Sequence, residues 1–226
     1  MLKNTLFRLI SATCLLFSNL SMAQIDGVEY SWNMKRDKEE IQIYTSKVAD
    51  SKYKAVRGVS IMHGELHSFV ALVLDLEVCS EWADLCKSSR VVKSISSTES
   101  LVYTLNDLPF PVSDRDAIAL VTWQQNPATK KVTMTSVATD STLVPIEGAI
   151  RLKDAVTQWH FTPMNDNKVL VESFGHIDPN GSTPAWVTNQ LLISSPFKSL
   201  KNMRTMINSG AYNDSQVEFL EKPSVE

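Results

Sequence analysis

The sequence predicts an α+β fold: one antiparallel sheet of many strands, closed by a long C-terminal helix. Strand-like runs follow one another from Arg90 to Asp178, separated by short polar turns, which is the pattern of a meandering sheet. From Thr183 to about Asn208 the apolar residues Trp186, Ile193, Phe197, Leu200 and Ile207 recur on one helical face. No repeat or interdomain linker interrupts the 226 residues, so strands and helix belong to one domain. The helix must bury its stripe on the concave face of a curved sheet, and a cavity between the two is the natural result.

The chain opens with an export signal, residues 1–23. Lys3 and Arg8 form a positive start, Leu9–Phe17 an apolar core, and Ser21-Met22-Ala23 a small-x-small cleavage site. The apolar run is too short to span a bilayer comfortably. Cys14 lies in mid-run after Thr13, the wrong context for a lipid anchor. The mature chain then starts at Gln24, in the periplasm or outside the cell. There, Cys79 and Cys86 are two thiols in an oxidising compartment, where thiols tend to pair. Seven residues of unbroken helix would hold their Cα atoms roughly 10 Å apart, too far for a disulfide. A bridge therefore requires the chain to bend between them.

After a polar opening, Ile41, Ile43 and Tyr44 with Val48 predict a first strand, and Lys54–His63 a second. Glu65–Asp75 reads as a helix with Leu66, Phe69, Val70 and Val73 on one face. Glu77–Lys87, which carries Trp82, is a short helix or a turn-rich stretch. His63 and His67 are four apart, but Gly64 lies between them and no third ligand is in reach, so no metal site is expected. The strands that follow are Arg90–Ser96, Ser100–Asn106, Asp116–Gln125, Lys131–Asp140, Ala149–Asp154, Thr157–Pro163 and Lys168–Asp178. Asn126-Pro127 and Asn165-Asp166-Asn167 mark hairpin turns, and Asp178-Pro-Asn-Gly181 stops the last strand. The final helix opens with Thr183 as N-cap and Pro184 at its first position. Pro196 inside it should kink or break it. The polar tail 212–226 is expected to fray, leaving residues 24–211 as the folded domain.

Leu108-Pro-Phe-Pro-Val-Ser-Asp-Arg-Asp116 links two of these strands. Its two prolines exclude helix and predict an extended run, and Ser113 and Asp114 supply turn chemistry. In the strand beyond, Arg115, Ala117, Ala119, Val121 and Trp123 share one face, while Asp116, Ile118, Leu120 and Thr122 share the other. Arg115 and Asp116 therefore point opposite ways and do not form a catalytic dyad.

This segment resembles the steroidogenic acute regulatory protein-related lipid-transfer (START) family, as do Gly148-Ala-Ile-Arg-Leu-Lys153, the Pro184-Ala-Trp186 helix opening and Trp82 after the first helix. The resemblance runs from about Val28 to Ser209. It implies a helix-grip fold, a curved antiparallel sheet wrapped around the C-terminal helix with an internal hydrophobic cavity for one lipid. It also implies that Arg115 and Asp116 are structural residues pinning the start of their strand. The departures narrow the cargo. Where the phosphatidylcholine-transfer member cages choline with rings, this chain has Thr104, Ala117 and Ala155, and where that member holds phosphate it has Cys79 and Thr157. Lost cation–π contacts and an uncompensated buried phosphate make phosphatidylcholine a poor fit. The buried ion pair of sterol carriers is also absent, its positions falling at Val121 and near Val102. The implied walls are Val73, Trp82, Thr104, Ala117, Val121, Ala155 and Thr157, closed by Trp186 and Ile193. Small side chains in place of rings suggest a bulkier or less polar cargo: a fatty acid, a sterol-like molecule or a hydrophobic metabolite.

Composition agrees with a binding module. A 43% hydrophobic and 21% charged chain is that of a soluble globular protein. A net charge of −3 and a pI near 5.8, without a basic block, argue against nucleic acid. The expected protein is a monomeric carrier without cofactor, in transient contact with membranes. The alternative is a helix-grip cyclase or hydrolase, using His160 or His176 with Asp116 or Glu172 as acid and base. No Gly-x-Ser-x-Gly elbow, phosphate loop or HExxH supports it. A third reading is an interaction domain whose cavity has filled in.

Overall fold

Strand runs of alternating burial assemble into a single ten-stranded sheet in the structure, a computed structural model. It describes residues 30–140, 143, 145–181, 183 and 185–221. The export signal with Cys14, the Pro184 helix start and the last five residues of the tail lie outside these. The strands and helices belong to one compact unit, Ser31–Glu226.

The strands are β1 Asn33–Lys38, β2 Ile41–Lys47, β3 Lys54–His63, β4 Cys86–Ser94, β5 Glu99–Asn106, β6 Arg115–Gln125, β7 Val132–Ala138, β8 Ile150–Arg151, β9 Ala155–Met164 and β10 Lys168–Ile177. Their order across the sheet is β1-β2-β3-β10-β9-β7-β6-β5-β4, with β8 pairing β6 in parallel and all other pairs antiparallel. The first three strands and the last thus meet in the middle of the sheet. β3 and β4 are consecutive in sequence but far apart in the sheet. Helix α1 (Leu66–Leu74), a 3₁₀ turn (Leu76–Val78) and the single turn α2 (Cys79–Trp82) carry the chain between them. The long helix α3, Ala185–Asn208, packs on β2 and β3 and on the two shorter helices. This is the helix-grip arrangement.

Apolar burial holds α3 in place. Phe197, Leu200, Met203 and Ile207 are buried with Phe69, Phe161, Val171 and Ile43 in one cluster. Each such side chain contributes about 1.5–3 kcal/mol on full burial. Gly58 lets the helix come close: a Cβ there would meet Leu200 Cδ1 and Ser173 Oγ at 2.7 Å.

Four expectations differ from the structure. β1 was not foreseen, because this edge strand is almost wholly exposed and carries no apolar alternation. Pro196 does not break α3, which continues through it to Asn208. A proline within a helix removes one donor and crowds the preceding turn, and here the buried stripe beyond it keeps the helix docked. The Leu108–Asp114 segment turns instead of running extended: Val112 N–H donates to Pro109 O at 3.1 Å, and the Phe110–Pro111 bond is cis. The tail does not fray over its described residues. Tyr212, Val217, Phe219 and Leu220 pack against the main core, with the Phe219 ring 5.8 Å from that of Trp123.

Candidate functional site: a cavity beneath the C-terminal helix

Strand pleating turns alternate side chains to one face, and on that face the sheet leaves a cavity of about 400 Å³. β5 contributes Val102 and Thr104, β6 Ala119, Val121 and Trp123, β9 Thr157 and Trp159, and β10 Ser173 and Gly175. Val73 at the end of α1, Cys79 and Trp82 of α2, and Ser195, Pro196 and Ser199 of α3 add to the wall. The volume is near the lower end of the roughly 300–1,000 Å³ of small-molecule sites.

Of the walls implied by the sequence, Val73, Trp82, Thr104, Val121 and Thr157 line this cavity. Ala117 and Ala155 do not. Alternation puts each on the same face as its lining neighbours, Ala119 and Thr157, and each lies across the strand pair from a lining residue, Thr104 and Ile177. Ile193 is also outside the lining, packed instead against the main core. Trp186 belongs to α3, and its side chain is outside the described part. Trp159 was missed, although alternation from Thr157 reaches it directly, and its ring meets that of Trp82 edge-on at 5.5 Å.

Cys79 and Cys86 are joined in a disulfide, Cα atoms 5.8 Å apart, and both line the cavity. The bend this requires is supplied where α2 ends at Trp82 and Leu85 adopts a φ of 72°.

The described lining is apolar and hydroxyl-rich, and its charged residues are Asp75 and Asp84. Asp75 accepts a hydrogen bond from the Tyr212 hydroxyl at 3.0 Å. Burial, with that carboxylate adding to it, pushes Tyr212 up to about 12. Asp84 has Lys198 Nζ at 3.3 Å from Oδ1, and its backbone N–H donates to Ser199 Oγ at 2.9 Å.

Arg115 and Asp116 do point opposite ways. The Arg115 guanidinium is buried and donates to the carbonyls of Ser113, Pro179 and Asn180 and to Thr183 Oγ1, tying the start of β6 to the approach to α3. Asp116 accepts from Arg151 Nε at 2.8 Å and Nη2 at 3.0 Å, and from the Ile146 amide. Arg151 lies in the Gly148–Lys153 stretch, but the sequence alone did not pair it with Asp116.

The acid–base candidates are elsewhere. His160 shares a 3.0 Å hydrogen bond with Thr133 Oγ1 and lies across the strand pair from Glu172, which is ion-paired with Arg57. Burial first, then the Lys131 charge, pushes His160 down to about 4. His176 Nε2 is 3.1 Å from Ser51 Oγ. None of His160, His176, Glu172 and Asp116 belongs to the described lining. His67 Nε2 is 2.8 Å from Asn213 O, and the described residues hold no group of three potential metal ligands. No described helix is long and apolar enough to cross a membrane.

A family model for the START domain matches residues 17–210. An uncharacterized protein of Pseudomonas aeruginosa is 28% identical over 175 residues, spanning 77% of this chain and 85% of the relative. The crystal structure of a STAR-related lipid transfer protein from Xanthomonas axonopodis is similar at a TM-score of 0.71 and 28% identity, over 78% of this chain and 98% of that one. Human StAR-related lipid transfer protein 5 has a TM-score of 0.72 at 17% identity, over 79% and 87% of the two chains, a likeness of fold.

Proposed function

The chain belongs to the START domain family, and on that premise we propose that it binds one hydrophobic ligand beneath α3 and carries or sequesters it. The observation behind this reading is the cavity, walled by Val73, Trp82, Val121, Trp123 and Trp159. The Xanthomonas relative is called a lipid transfer protein, which supports a lipid-like cargo. Export to the periplasm or medium is supported by the signal-like residues 1–23 and by the Cys79–Cys86 disulfide, a bond of oxidising compartments. One chain supplies the whole described wall, which suits a monomer. Membrane contact during loading is assigned to Phe110, 93% exposed on the loop that follows Asn106 of the wall. A cyclase or hydrolase would need an acid–base pair at the ligand, and the four candidates are engaged away from the cavity.

Native mass spectrometry of protein purified from a bacterial periplasm without detergent tests the reading. The expected result is one co-purifying lipid-sized mass, absent from an Ala119→Trp variant in which the indole fills the cavity. Wild-type protein that stays free of ligand after incubation with mixed lipids would refute it.

A further inference from the structure

We propose that the cavity selects an amphiphile whose head is an alcohol or an ammonium group, and that Asp84 is the residue that holds this head. The inference rests on the carrier reading and specifies its cargo. Its first support is the charge of the wall. The charged residues of the described lining are the carboxylates Asp75 and Asp84, with no Lys, Arg or His among them. An anionic head, such as a fatty acid carboxylate or a phosphate, would be desolvated there against like charge and without a cation, a costly arrangement. Lys198 meets Asp84 Oδ1 from the solvent side, its own side chain 58% exposed, and leaves the other oxygen unengaged.

The second support is independent of charge. Three lining residues each hold a polar atom that is shielded from solvent and without a hydrogen-bond partner: Asp84 Oδ2, Trp82 Nε1 and Ser173 Oγ. Buried polar groups are otherwise nearly always paired, and each orphan costs about 1–3 kcal/mol. The three belong to linked parts of the wall. Trp82 is two residues from Asp84, its ring contacts Trp159, and Trp159 is the cross-strand partner of Ser173.

The chemistry of these groups describes their missing partner. A carboxylate ion-paired to lysine only accepts hydrogen bonds, an indole N–H only donates, and a serine does either. A hydroxyl group satisfies an acceptor and a donor at once. An ammonium satisfies the carboxylate with added charge attraction. Neither description fits a carboxylate head. Of the two carboxylates, Asp84 is the one with a shielded oxygen lacking a partner, while Asp75 accepts from Tyr212, which makes Asp84 the anchor.

Displacement of Nile red, an uncharged probe, by hexadecanol, hexadecylamine and palmitate at pH 7.5 tests this, the three sharing one chain and differing in the head. The alcohol or the amine, or both, should displace the probe at least tenfold more tightly than palmitate, and the preferred head tells the two classes apart. Asp84→Asn should weaken the preferred ligand about tenfold and leave palmitate unchanged or improved. Trp82→Phe, which keeps an aromatic ring and removes the indole N–H, should weaken the alcohol alone. One-to-one binding of all three without preference, or a preference that survives Asp84→Asn in protein of unaltered circular dichroism, would overturn the inference and leave the carrier reading standing. Failure of Nile red and all three amphiphiles to saturate the wild-type protein would overturn both.

Discussion

At the scale of single residues, adjacent side chains on β6 divide the labour of fixing that strand. Arg115 reaches toward the segment before α3, and Asp116 reaches the opposite way to Arg151. Asp116 is fully buried, so its charge depends on its partner. Burial, the largest influence, would raise its carboxyl, but the Arg151 guanidinium together with the Ile146 amide and the Tyr103 hydroxyl holds it below the ordinary value. A folded pKa below the unfolded value of about 3.9 gives stability that is complete above that pH and lost as pH falls through the folded value. Arg151→Ala removes the counter-ion and leaves the carboxylate buried, which costs about 3–5 kcal/mol. For a domain of this size that is a fall in Tm of roughly 10 °C at pH 7. In the variant burial prevails, so the carboxyl protonates above its ordinary pKa and the Tm gap should narrow as pH is lowered toward 4. Thermal unfolding followed by circular dichroism at several pH values measures this. A gap that is flat with pH would show that Arg151 acts through packing, not charge.

At the scale of elements, legibility followed burial. β2 and β10 largely alternate between a more and a less buried face, and apolar spacing placed β2, β5, β6 and β10 each within a residue or two. β1 has no such spacing, since an edge strand of Met34, Lys35, Arg36 and Asp37 is held by the backbone ladder to β2. At Pro196 a local rule predicts a kink or a break, and the buried turns of α3 beyond it rule out the break. The Leu108–Asp114 loop leaves its most hydrophobic residue, Phe110, in solvent. A side chain that packs nothing in the folded protein offers its surface to another apolar phase. Insertion into a bilayer would remove apolar area worth about 1.5–3 kcal/mol. Phe110→Ser should therefore slow ligand transfer between vesicles roughly tenfold while leaving Tm and ligand occupancy unchanged. A stopped-flow assay with a self-quenched lipid on donor vesicles reads the rate, and an unaltered rate would remove this loop from the membrane-facing surface.

At the scale of the whole molecule, the sequence revealed which face of each strand looks inward but not where the cavity on that face ends. Ala117 and Thr157 have equivalent claims by alternation, yet Thr157 lines the cavity and Ala117 does not. Asp84 was invisible for a similar reason, because a lone acid in a polar turn acquires meaning only when the wall around it proves to lack cations. The tail went furthest astray. Its composition predicted fraying, yet its few apolar residues find specific seats: Phe219 by Trp123, Tyr212 on Asp75, and the Tyr212 and Asn213 carbonyls on Ser68 and His67 of α1. It thus bridges α1 and the far end of β6, with the Glu221 amide donating to Gln125. A chain ending at Ala211 would expose Val217, Phe219 and Leu220's share of the core. At about 1.5–3 kcal/mol for a fully buried side chain, and these being partly buried, the loss is roughly 3 kcal/mol, a fall in Tm of about 6–12 °C. Phe219→Ala in the full chain should reproduce a third or more of that fall, which separates packing from mere shortening. Calorimetry of the two variants decides the matter: an unchanged Tm in both would return the tail to the loose appendage that its composition suggests.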